Sequence, residues 1–502
     1  MFLDFMSEVE ALLKSALERC GCNLEDGANP LGLDISPHAD LASSVAFRLA
    51  PVLKKSPAAI AAEIHKALPE ERHYVDRVEV LGPYLNFFMN DRFLDKVLKE
   101  ALADNAWTGR MSEKVIVEHT SANPDGPLHV GHIRNSVIGD TLVRILRRAG
   151  CNVDAQYYIN DMGRQEAMVV VGCDNFPLDG SKADHAVAKV YIAANKLVES
   201  EPGVRDEADS VIARYEEGGP ESIAGIQSAV KYAIGGIEQT LQRMNIGHDT
   251  YHWESEFVRR GDVEEIVGLL EKTGLTELEE GAFQLDLTSY GFEEQMVLQR
   301  DEGTSLYITG GLDAYRWKAE NSNRSVDILG ADHKLVSGQL RTALRLLGVR
   351  EPEVVIFEFV SLPTGSMSTR KGKFISADEL LDEVEKQAYE EVKLRRPEES
   401  EAFLRETAAQ VAAGAVRYDV VKVSADKATT FDWKQALDFE KLSAPFIQYS
   451  HARAASILRR GEGEALAADG SDIACHLLKG DYEIALLKKI AQFDLVIDRA
   501  AR

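Results

Sequence analysis

One stretch constrains the fold of this chain more than any other: EHTSANPDGPLHVGHIRNSVIGDTLVRILRRAG, residues 118–150. It overlaps the end of a β-rich apolar run, KVIVEHTS (114–121), and it precedes a second such run, CNVDAQYYIND (151–161). Between the two runs, a proline-glycine turn leads into an apolar-periodic segment that predicts a helix at roughly 131–149. A strand, a loop, a helix and a strand in this order make the βαβ unit of a parallel sheet. The sequence therefore predicts an α/β core.

Two histidines, His129 and His132, flank Gly131 where the predicted strand end, turn and helix start meet. Two structural explanations are open: His129 caps the helix, and His132 lies on its exposed side. The chemical explanation is that a helix N-terminus offers free N–H groups and partial positive charge to an anion, at the sheet edge where ligands bind. Gly131 would let a ligand lie against the backbone, with both histidines as donors to a triphosphate.

A second α/β block covers residues 305–362, with SLYITG, SVDILGADH, the helix QLRTALRLLG and the strand EVVIFEFVSL. The strand at 354–362 is nearly all apolar, which is typical of a central parallel strand. A polar loop follows, in which GSMSTRKGKF (365–374) carries Arg370 and Lys371 between glycines. This loop is either a solvated turn or a flexible cationic loop for phosphates.

The flanking regions differ from these two blocks. Residues 1 to about 108 predict a compact α+β domain, with helices near 5–19, 40–52 and 57–67 and two strands across a Gly-Pro turn within 75–90. The pattern is again helical from about 182 to 245, with long acidic faces, and from about 400 to the last residue. The chain therefore predicts several domains around the α/β core.

Composition limits the function classes. The chain has 502 residues and 45% hydrophobic content, which is enough for two to four domains. Its net charge of -25 excludes a generic basic nucleic-acid binder, so a nucleic-acid site must be a local basic patch. The five cysteines are scattered, and Cys20-Gly21-Cys22 is too closely spaced for a zinc hook, so we expect reduced thiols and no metal held by the protein. No apolar run reaches membrane length, and we expect no membrane association.

Six motifs occur in a fixed order along the chain: EHTSANPDGPLHVGHIRNSVIGD, YYINDMGRQ, EGTSLYIT, GADH, SMSTRKG and PFIQYSHARAASILRR. Together they resemble the arginyl-tRNA synthetases of the archaeal type, which are class I synthetases. The resemblance covers nearly the whole chain, from the N-terminal region to about residue 460. An ordered set of six motifs is far more specific than any one of them.

The resemblance implies an α/β multidomain fold with a Rossmann-type class I synthetase catalytic domain that carries a helical insertion. We expect an N-terminal α+β tRNA-binding domain at 1–108 and a catalytic domain at 109–400 with an inserted helical region at about 182–300. A helical C-terminal region at 401–502 would be the start of a DALR-type anticodon-binding domain. We expect this domain to be incomplete, with exposed apolar surface on helix 482–502 and weakened anticodon recognition.

The implied function is that of an arginine–tRNA ligase, which activates L-arginine with ATP to arginyl-adenylate and transfers it to the 3' end of tRNA(Arg), releasing AMP and pyrophosphate. The expected partners are L-arginine, tRNA(Arg) and ATP with Mg²⁺ as a substrate complex, with no tightly bound cofactor. The resemblance further implies a cytoplasmic monomer that requires tRNA even for the first step. Two alternatives stay open: a small-molecule nucleotidyltransferase of the same superfold and a catalytically impaired tRNA-binding paralogue.

Site residues are assigned by the same resemblance. The residues expected to bind ATP are His129, Gly131, His132, Ser368, Arg370 and Lys371. The residues expected to bind arginine are Glu118 at the guanidinium, Asn123 at the α-amino end, Tyr307 against the side chain, Asp313, and His333 near the amine or adenosine. The residues expected to shape the pocket floor are Asn160, Asp161 and Gln165. A guanidinium needs planar anionic partners, and a carboxylate can accept two hydrogen bonds from it.

The chain departs from the family pattern at two places. Many members carry a lysine where this chain has Gly126. The subset that lacks this lysine tends to keep the later cationic loop, here with Lys371. After the Tyr-x-Thr motif, members usually continue Arg-Asp, and that aspartate is a second guanidinium ligand. This chain has Gly310 and Gly311 instead, so Asp313 replaces the aspartate only if the loop changes its register.

Overall fold

The structure is a computed structural model. It describes residues 1–22, 29–102, 109–201, 203–216, 220–259, 262–279, 282–299, 307–361, 375–440, 442–461, 475–478 and 480–502. The chain divides into two compact units, one made of residues 1–111, 148–150 and 460–502, and the other of residues 112–147 and 151–459. In the described part of the chain, no helix is both long enough and apolar enough to cross a bilayer.

The α-helices of the described residues, in chain order, are α1 (Phe2–Arg19), α2 (Val45–Leu53), α3 (Pro57–Ala67), α4 (Asp91–Leu102), α5 (Val130–Arg148), α6 (Arg164–Asn175), α7 (Ala183–Ser200), α8 (Gly203–Glu216), α9 (Pro220–Arg243), α10 (Glu254–Arg259), α11 (Asp262–Glu271), α12 (Tyr307–Asn321), α13 (Lys334–Leu346), α14 (Ala377–Arg395), α15 (Glu401–Val421), α16 (Trp433–Ala436), α17 (Ala444–Gly461), α18 (Asp481–Ala491) and α19 (Phe493–Ala501).

The strands of the described residues are β1 (Leu33–Asp34), β2 (Leu41–Ser43), β3 (Val75–Leu81), β4 (Tyr84–Met89), β5 (Lys114–Glu118), β6 (Asn152–Ile159), β7 (Thr250–Trp253), β8 (Thr276–Glu279), β9 (Ala282–Leu285), β10 (Met296–Gln299), β11 (Arg324–Gly330), β12 (Glu353–Phe357), β13 (Val360–Ser361) and β14 (Thr429–Thr430).

The first unit combines helices with a small antiparallel sheet. Its strands run in the order β1-β2-β4-β3, and β3 and β4 form the hairpin that the Gly-Pro turn predicts. The apolar face of α1, which includes Phe2, Phe5 and Leu13, is fully buried in the core of this unit. Of the three helices predicted within the first 67 residues, those near 5–19 and 57–67 are confirmed. The helix predicted at 40–52 begins only at Val45, because Leu41–Ser43 form β2.

The C-terminal helices α18 and α19 belong to the same compact unit. Leu487 and Leu495 are buried in its core, next to residues of the N-terminal helices. The backbone amide of Phe2 also donates to the Asp494 carboxylate at 3.1 Å. The opposite faces of these helices leave Tyr482 92% exposed and Val496 57% exposed. The prediction of exposed apolar surface on 482–502 is therefore confirmed for one face, while the other face is covered by residues of this unit.

The second unit is built on a five-stranded parallel sheet in the order β12-β11-β5-β6-β7. The predicted βαβ unit is confirmed as β5, α5 and β6, with β5 in the centre of the sheet. The prediction of a central strand at 354–362 is wrong. β12 ends at Phe357 and lies at the sheet edge, and Val355 and Ile356 are only half-buried. Apolar composition alone did not reveal that this strand has a neighbour on one side only.

The predicted helical insertion at about 182–300 is purely helical only in its first part. Helices α7, α8 and α9 cover it through Arg243, but β7 then joins the main parallel sheet beside β6. Further on, after α10 and α11, β8, β9 and β10 form a separate three-stranded antiparallel sheet. The prediction of a helical region therefore missed these four strands. The alternating residues TYHW of β7 are half-buried and gave only a weak strand signal.

Candidate active site

The carboxyl end of β5 continues into a turn with unusual backbone geometry. Thr120 and Ser121 have φ values of 69° and 37°, a region that residues other than glycine rarely adopt. Hydrogen bonds hold this turn: Asn135 Oδ1 accepts from the Thr120 amide at 2.6 Å, and the Thr120 hydroxyl donates to Ser136 Oγ at 2.8 Å. Asn135 in turn donates to the Ile328 carbonyl of β11 at 2.7 Å. Side chains of α5 thus fix the turn between Glu118 and Asn123.

His129 and His132 stack at the start of α5, with ring centroids 3.7 Å apart. Nδ1 of His129 accepts from the Gly131 amide at 3.0 Å, so the capping explanation is correct for this atom. Nδ1 of His132 accepts from the His129 amide at 3.2 Å. Burial lowers the pKa of both rings, that of His132 to about 3. Two neutral imidazoles that accept at Nδ1 carry their protons on Nε2, where each can donate to an anion.

Gly131 is required by this arrangement. A Cβ atom at this position would lie 2.8 Å from Cε1 of His129, so a larger residue would displace the ring. The segment before α14 pairs with the same turn, through a bridge between His129 and Ser376 and a 2.7 Å hydrogen bond from the Ala377 amide to the Leu128 carbonyl. Ser368, Arg370 and Lys371 of the predicted cationic loop lie outside the described residues.

Glu118, predicted to bind the guanidinium, is already paired with a cation of the chain. Lys318 of α12 donates to Glu118 Oε2 at 2.7 Å and to Asp327 Oδ1 at 2.9 Å. Burial raises the pKa of Glu118. Burial also opposes the charge of Lys318, but the carboxylates of Asp327 and Glu118 overcome it and raise the Lys318 pKa. Sequence reasoning missed Lys318, because a single lysine in an amphipathic helix is usually solvated.

Glu118 and Lys318 line a cavity. The other lining residues are Tyr158, Gly311, Ala314, Tyr315, Leu329, His333, Val336, Ser337 and Leu340. His333 lines the same cavity as Glu118, and its side chain is half exposed.

Asp313 does not line this cavity. Residues 307–321 form one continuous helix, so the change of register that would bring Asp313 to the position of Gly311 does not occur. The cavity residues Gly311, Ala314 and Lys318 recur at helical spacing on one face of α12. Asp313 is buried and shares a different face with Gly310. The backbone of Tyr307 begins α12, and its side chain is outside the described part of the structure.

Of the three residues predicted to shape the pocket floor, Asn160 and Gln165 contact Asn123, and Asp161 bonds to Ser255 instead. Asn123 donates to Gln165 Oε1 at 2.9 Å and accepts from the Asn160 amide group at 3.5 Å. These three side chains therefore lie together. Asp161 is fully buried and accepts from the Ser255 amide at 2.9 Å and the Ser255 hydroxyl at 2.6 Å, so it joins β6 to α10.

Sequence reasoning missed Glu254, which begins α10 directly after β7. Glu254 and Glu166 of α6 are each 2% exposed, and each has one carboxylate oxygen without a hydrogen-bond partner among the described residues. Burial raises the pKa of both, that of Glu166 to about 8. A Cβ atom at Gly310 would lie 3.5 Å from Glu254 Oε1. The available signal was an acid at the end of a strand, in TYHWES, but β7 itself was not predicted.

A cluster of Asp184, His185 and Asp378 has metal-ligand spacing, but an ammonium lies among its carboxylates. Lys182 Nζ donates to Asp184 at 2.9 Å and to Asp378 at 2.6 Å. His185 Nε2 lies 3.0 Å from the same Asp378 carboxylate. The cluster therefore holds its own cation and connects α7 to α14.

Family models cover most of the chain. The model described as "tRNA synthetases class I (R), catalytic domain" matches residues 96–433, and "Arginyl tRNA synthetase N terminal domain" matches residues 7–89. A third, "DALR anticodon binding domain", matches residues 447–502. The chain belongs to the arginyl-tRNA synthetase family. The nucleotidyltransferase alternative accounts for neither of the two flanking domains of this synthetase.

Individual relatives agree with this assignment. The synthetase is 64% identical to an arginine–tRNA ligase of Methanothrix thermoacetophila over 100% of this chain and 88% of the relative. It is 50% identical to an arginine–tRNA ligase of Methanosarcina barkeri over 100% of this chain and 89% of that protein. Among solved structures, the arginyl-tRNA synthetase of Thermus thermophilus superimposes with a TM-score of 0.78 at 28% identity, covering 98% of this chain and 87% of that one. That of Plasmodium falciparum has a TM-score of 0.76 at 13% identity, covering 97% and 86%, and shows a shared fold.

Proposed function

We propose that the arginine–tRNA ligase reaction of this family takes place at the edge of the parallel sheet where β5, β6, β7 and β11 end. One observation carries the proposal: an anion site and a cation site meet at this edge. The anion site is the N-terminus of α5 with the two Nε2 donors of His129 and His132. The cation site is the buried Glu254, whose carboxylate has an oxygen without a partner among the described residues.

The first step joins arginine to AMP. A carboxylate oxygen of arginine attacks the α-phosphorus of ATP, which is bound as its Mg²⁺ complex, and pyrophosphate leaves. We assign the phosphates to His129, Gly131 and His132, with Ser368, Arg370 and Lys371 of the cationic loop neutralising the leaving pyrophosphate. Because His132 is neutral at physiological pH, it acts as a hydrogen-bond donor and not as a charge. Positioning and charge neutralisation carry the rate, so no side-chain nucleophile is needed.

Arginine is held at both ends. We assign its α-amino group to Asn123 and Glu118, with His333 nearby, and its side chain to the face of Tyr307. We assign the guanidinium to Glu254 in place of Asp313, because a buried carboxylate with an open oxygen gains most from a guanidinium fork. Gly311 lines the cavity and Gly310 adjoins Glu254, so this pair of glycines separates the two ends of the substrate.

In the second step, a terminal ribose hydroxyl of tRNA(Arg) attacks the carbonyl carbon of the adenylate, and AMP leaves. We propose that the N-terminal domain (1–108) and the C-terminal helical region (401–502) bind tRNA, and that the catalytic domain spans 109–400. tRNA is required for the first step as well. The enzyme acts as a monomer in the cytoplasm.

ATP–pyrophosphate exchange with and without tRNA tests this function. We expect exchange that depends on arginine and on tRNA, and none with citrulline, which has the shape of arginine without its charge. Glu254→Gln should lower the preference for arginine over citrulline, while the KM for ATP stays within about 2-fold. Absence of exchange, together with normal tRNA binding, would identify a catalytically impaired paralogue, which the Gly310-Gly311 pair left open. Exchange without any amino-acid preference would contradict the assignment of Glu254.

A further inference from the structure

Lys318 is the most deeply enclosed cation beside the cavity. Its side chain is 3% exposed. Two of its three N–H directions are used by carboxylates, Glu118 at 2.7 Å and Asp327 at 2.9 Å. The third is open to the ring of Tyr315, whose centroid lies 4.4 Å from Nζ. Because an ammonium has three donors, none is left for a substrate. Lys318 therefore acts on the site through its neighbours.

The two carboxylates need this cation. Glu118 and Asp327 are paired positions of the neighbouring parallel strands β5 and β11, so they share one face of the sheet. Asp327 is 1% exposed, and like charges on adjacent buried positions are unfavourable. Without a cation, one of the two acids would take up a proton. The Lys318 ammonium favours the ionised form of Glu118, and in their charged forms the three groups carry one net negative charge.

That net charge faces the cavity. Glu118 and Lys318 both contribute to the cavity wall, whereas Asp327 lies behind them. Among the described residues, the other titratable groups facing the cavity are Tyr158 of β6, Tyr315 of α12 and His333 before α13. None of these is a cation that could replace Lys318 at Glu118 when His333 is neutral.

We propose that Lys318 is a positioning residue for amino-acid recognition. It fixes the Glu118 carboxylate at the cavity wall and keeps it ionised, with Asp327 as its anchor in the sheet, and it does not itself touch the substrate. The inference rests on the proposed contact between Glu118 and the α-amino group of arginine. The same ion pairs anchor α12, the helix that begins at Tyr307 and carries Lys318, to the sheet.

Aminoacylation by the full chain with tRNA tests the proposal through three variants. Lys318→Met should raise the KM for arginine about 10- to 100-fold and leave the KM for ATP unchanged. It should also move the pH profile of kcat/KM for arginine to higher pH, because Glu118 now shares a proton with Asp327. Lys318→Arg should stay near the wild type in both readouts. Lys318→Met combined with Asp327→Asn should restore the pH profile but keep the raised KM, because the like-charge pair is gone while Glu118 is still unanchored.

Two controls separate the possible failures. Lys272→Met, at an exposed position of the same unit, should match the wild type. Glu118→Gln tests the underlying contact: if it leaves the KM for arginine unchanged, the proposed role of Glu118 fails. If Glu118→Gln raises that KM while Lys318→Met leaves both the KM and the pH profile as in the wild type, only the role of Lys318 is overturned. Should Lys318→Met not fold, the double variant decides, and a wild-type KM for arginine in it overturns the proposal.

Discussion

Two pairs of buried acids near the same sheet edge differ in their counter-charge. Glu118 and Asp327, on β5 and β11, share the ammonium of Lys318. Glu254, after β7, and Glu166, on α6, each keep a carboxylate oxygen without a partner among the described residues. The first pair is neutralised by a cation of the chain itself. We propose that a cationic substrate supplies the missing counter-charge of the second pair.

The difference in counter-charge predicts that the first pair stabilises the fold and the second pair binds the substrate. A buried carboxylate with an internal cation contributes to the fold, and removing one partner leaves an uncompensated charge. A buried carboxylate with an open oxygen costs stability until a ligand binds, because its desolvation is not offset. Substitutions in the first pair should therefore lose stability, whereas those in the second pair should gain stability and lose substrate recognition.

The largest expected effect is on arginine recognition at Glu254. Glu254→Gln should lower kcat/KM for arginine about 100- to 1000-fold, because the guanidinium loses a buried charged partner. The same variant should be at least as stable as the wild type in urea. Glu256→Gln, on the exposed side of the same short helix, is the matched control and should change neither quantity. If Glu254→Gln lost stability but kept its kcat/KM for arginine, Glu254 would stabilise the fold and would not bind the substrate.

Asp327→Asn should lose stability and keep arginine recognition, the opposite of Glu254→Gln. We expect the free energy of unfolding to fall by about 2 kcal/mol, because the buried ion pairs of Lys318 are reduced to one. The KM for arginine should change less than about 3-fold, since Lys318 still holds Glu118. Glu353→Gln, which removes an exposed partner of Arg324 on the neighbouring strand β12, should cost much less. If the free energy of unfolding fell equally in the two variants, the ion pairs of Lys318 with Glu118 and Asp327 would stabilise the fold no more than an exposed ion pair does.

The buried Glu166 should make the protein less stable as pH rises. Burial, with Asp125 and Asp161 nearby, raises its pKa to about 8 in the folded state, against about 4.3 in the unfolded chain. Between these values the folded state binds more protons, so its contribution to the free energy of unfolding falls as pH rises, by up to about 1.4 kcal/mol per pH unit. Urea unfolding from pH 5 to pH 8 should show a flatter dependence in Glu166→Gln. If the free energy of unfolding depended on pH equally in the wild type and in Glu166→Gln, Glu166 would not be a buried acid without a counter-charge.

The smallest expected effect is a gain at Gly311, where the resemblance to the family implies an aspartate. A Cβ atom at this position would meet Leu340 Cδ1 at 3.7 Å, an ordinary contact, so a side chain can enter the cavity wall. Gly311→Asp should lower the KM for arginine about 3- to 10-fold by adding a second carboxylate. Gly311→Asn is isosteric and uncharged, and should give no gain. If the two variants behave alike, the guanidinium does not reach this face of α12.

The sequence predicted the parts of the site that are built from consecutive residues. The βαβ unit and the place of His129 and His132 at the start of α5 follow from local motifs, in which backbone direction places the side chains. Lys318 and Glu254 could not be predicted this way. Lys318 reaches Glu118 across 200 residues, and this contact depends on how α12 packs on the sheet.

The incorrect fold predictions have a related cause. β7 is four residues long and half-buried, so it carries little periodic signal, and its place in the sheet depends on pairing with β6. The strand at 354–357 is apolar but lies at the edge, which composition does not report. Asp313 was considered as a substitute ligand because a loop was assumed there, whereas a continuous helix turns it to another face.

The proton balance of arginine binding tests most directly whether the missing counter-charge comes from the substrate. Burial raises the pKa of Glu254 well above its usual range, and a bound guanidinium would lower it by favouring the ionised form. Calorimetry at pH 7 in two buffers of different ionisation enthalpy should therefore show proton release when arginine binds, and none with citrulline or in Glu254→Gln. Arginine binding without proton release, or equal release in Glu254→Gln, would contradict this assignment.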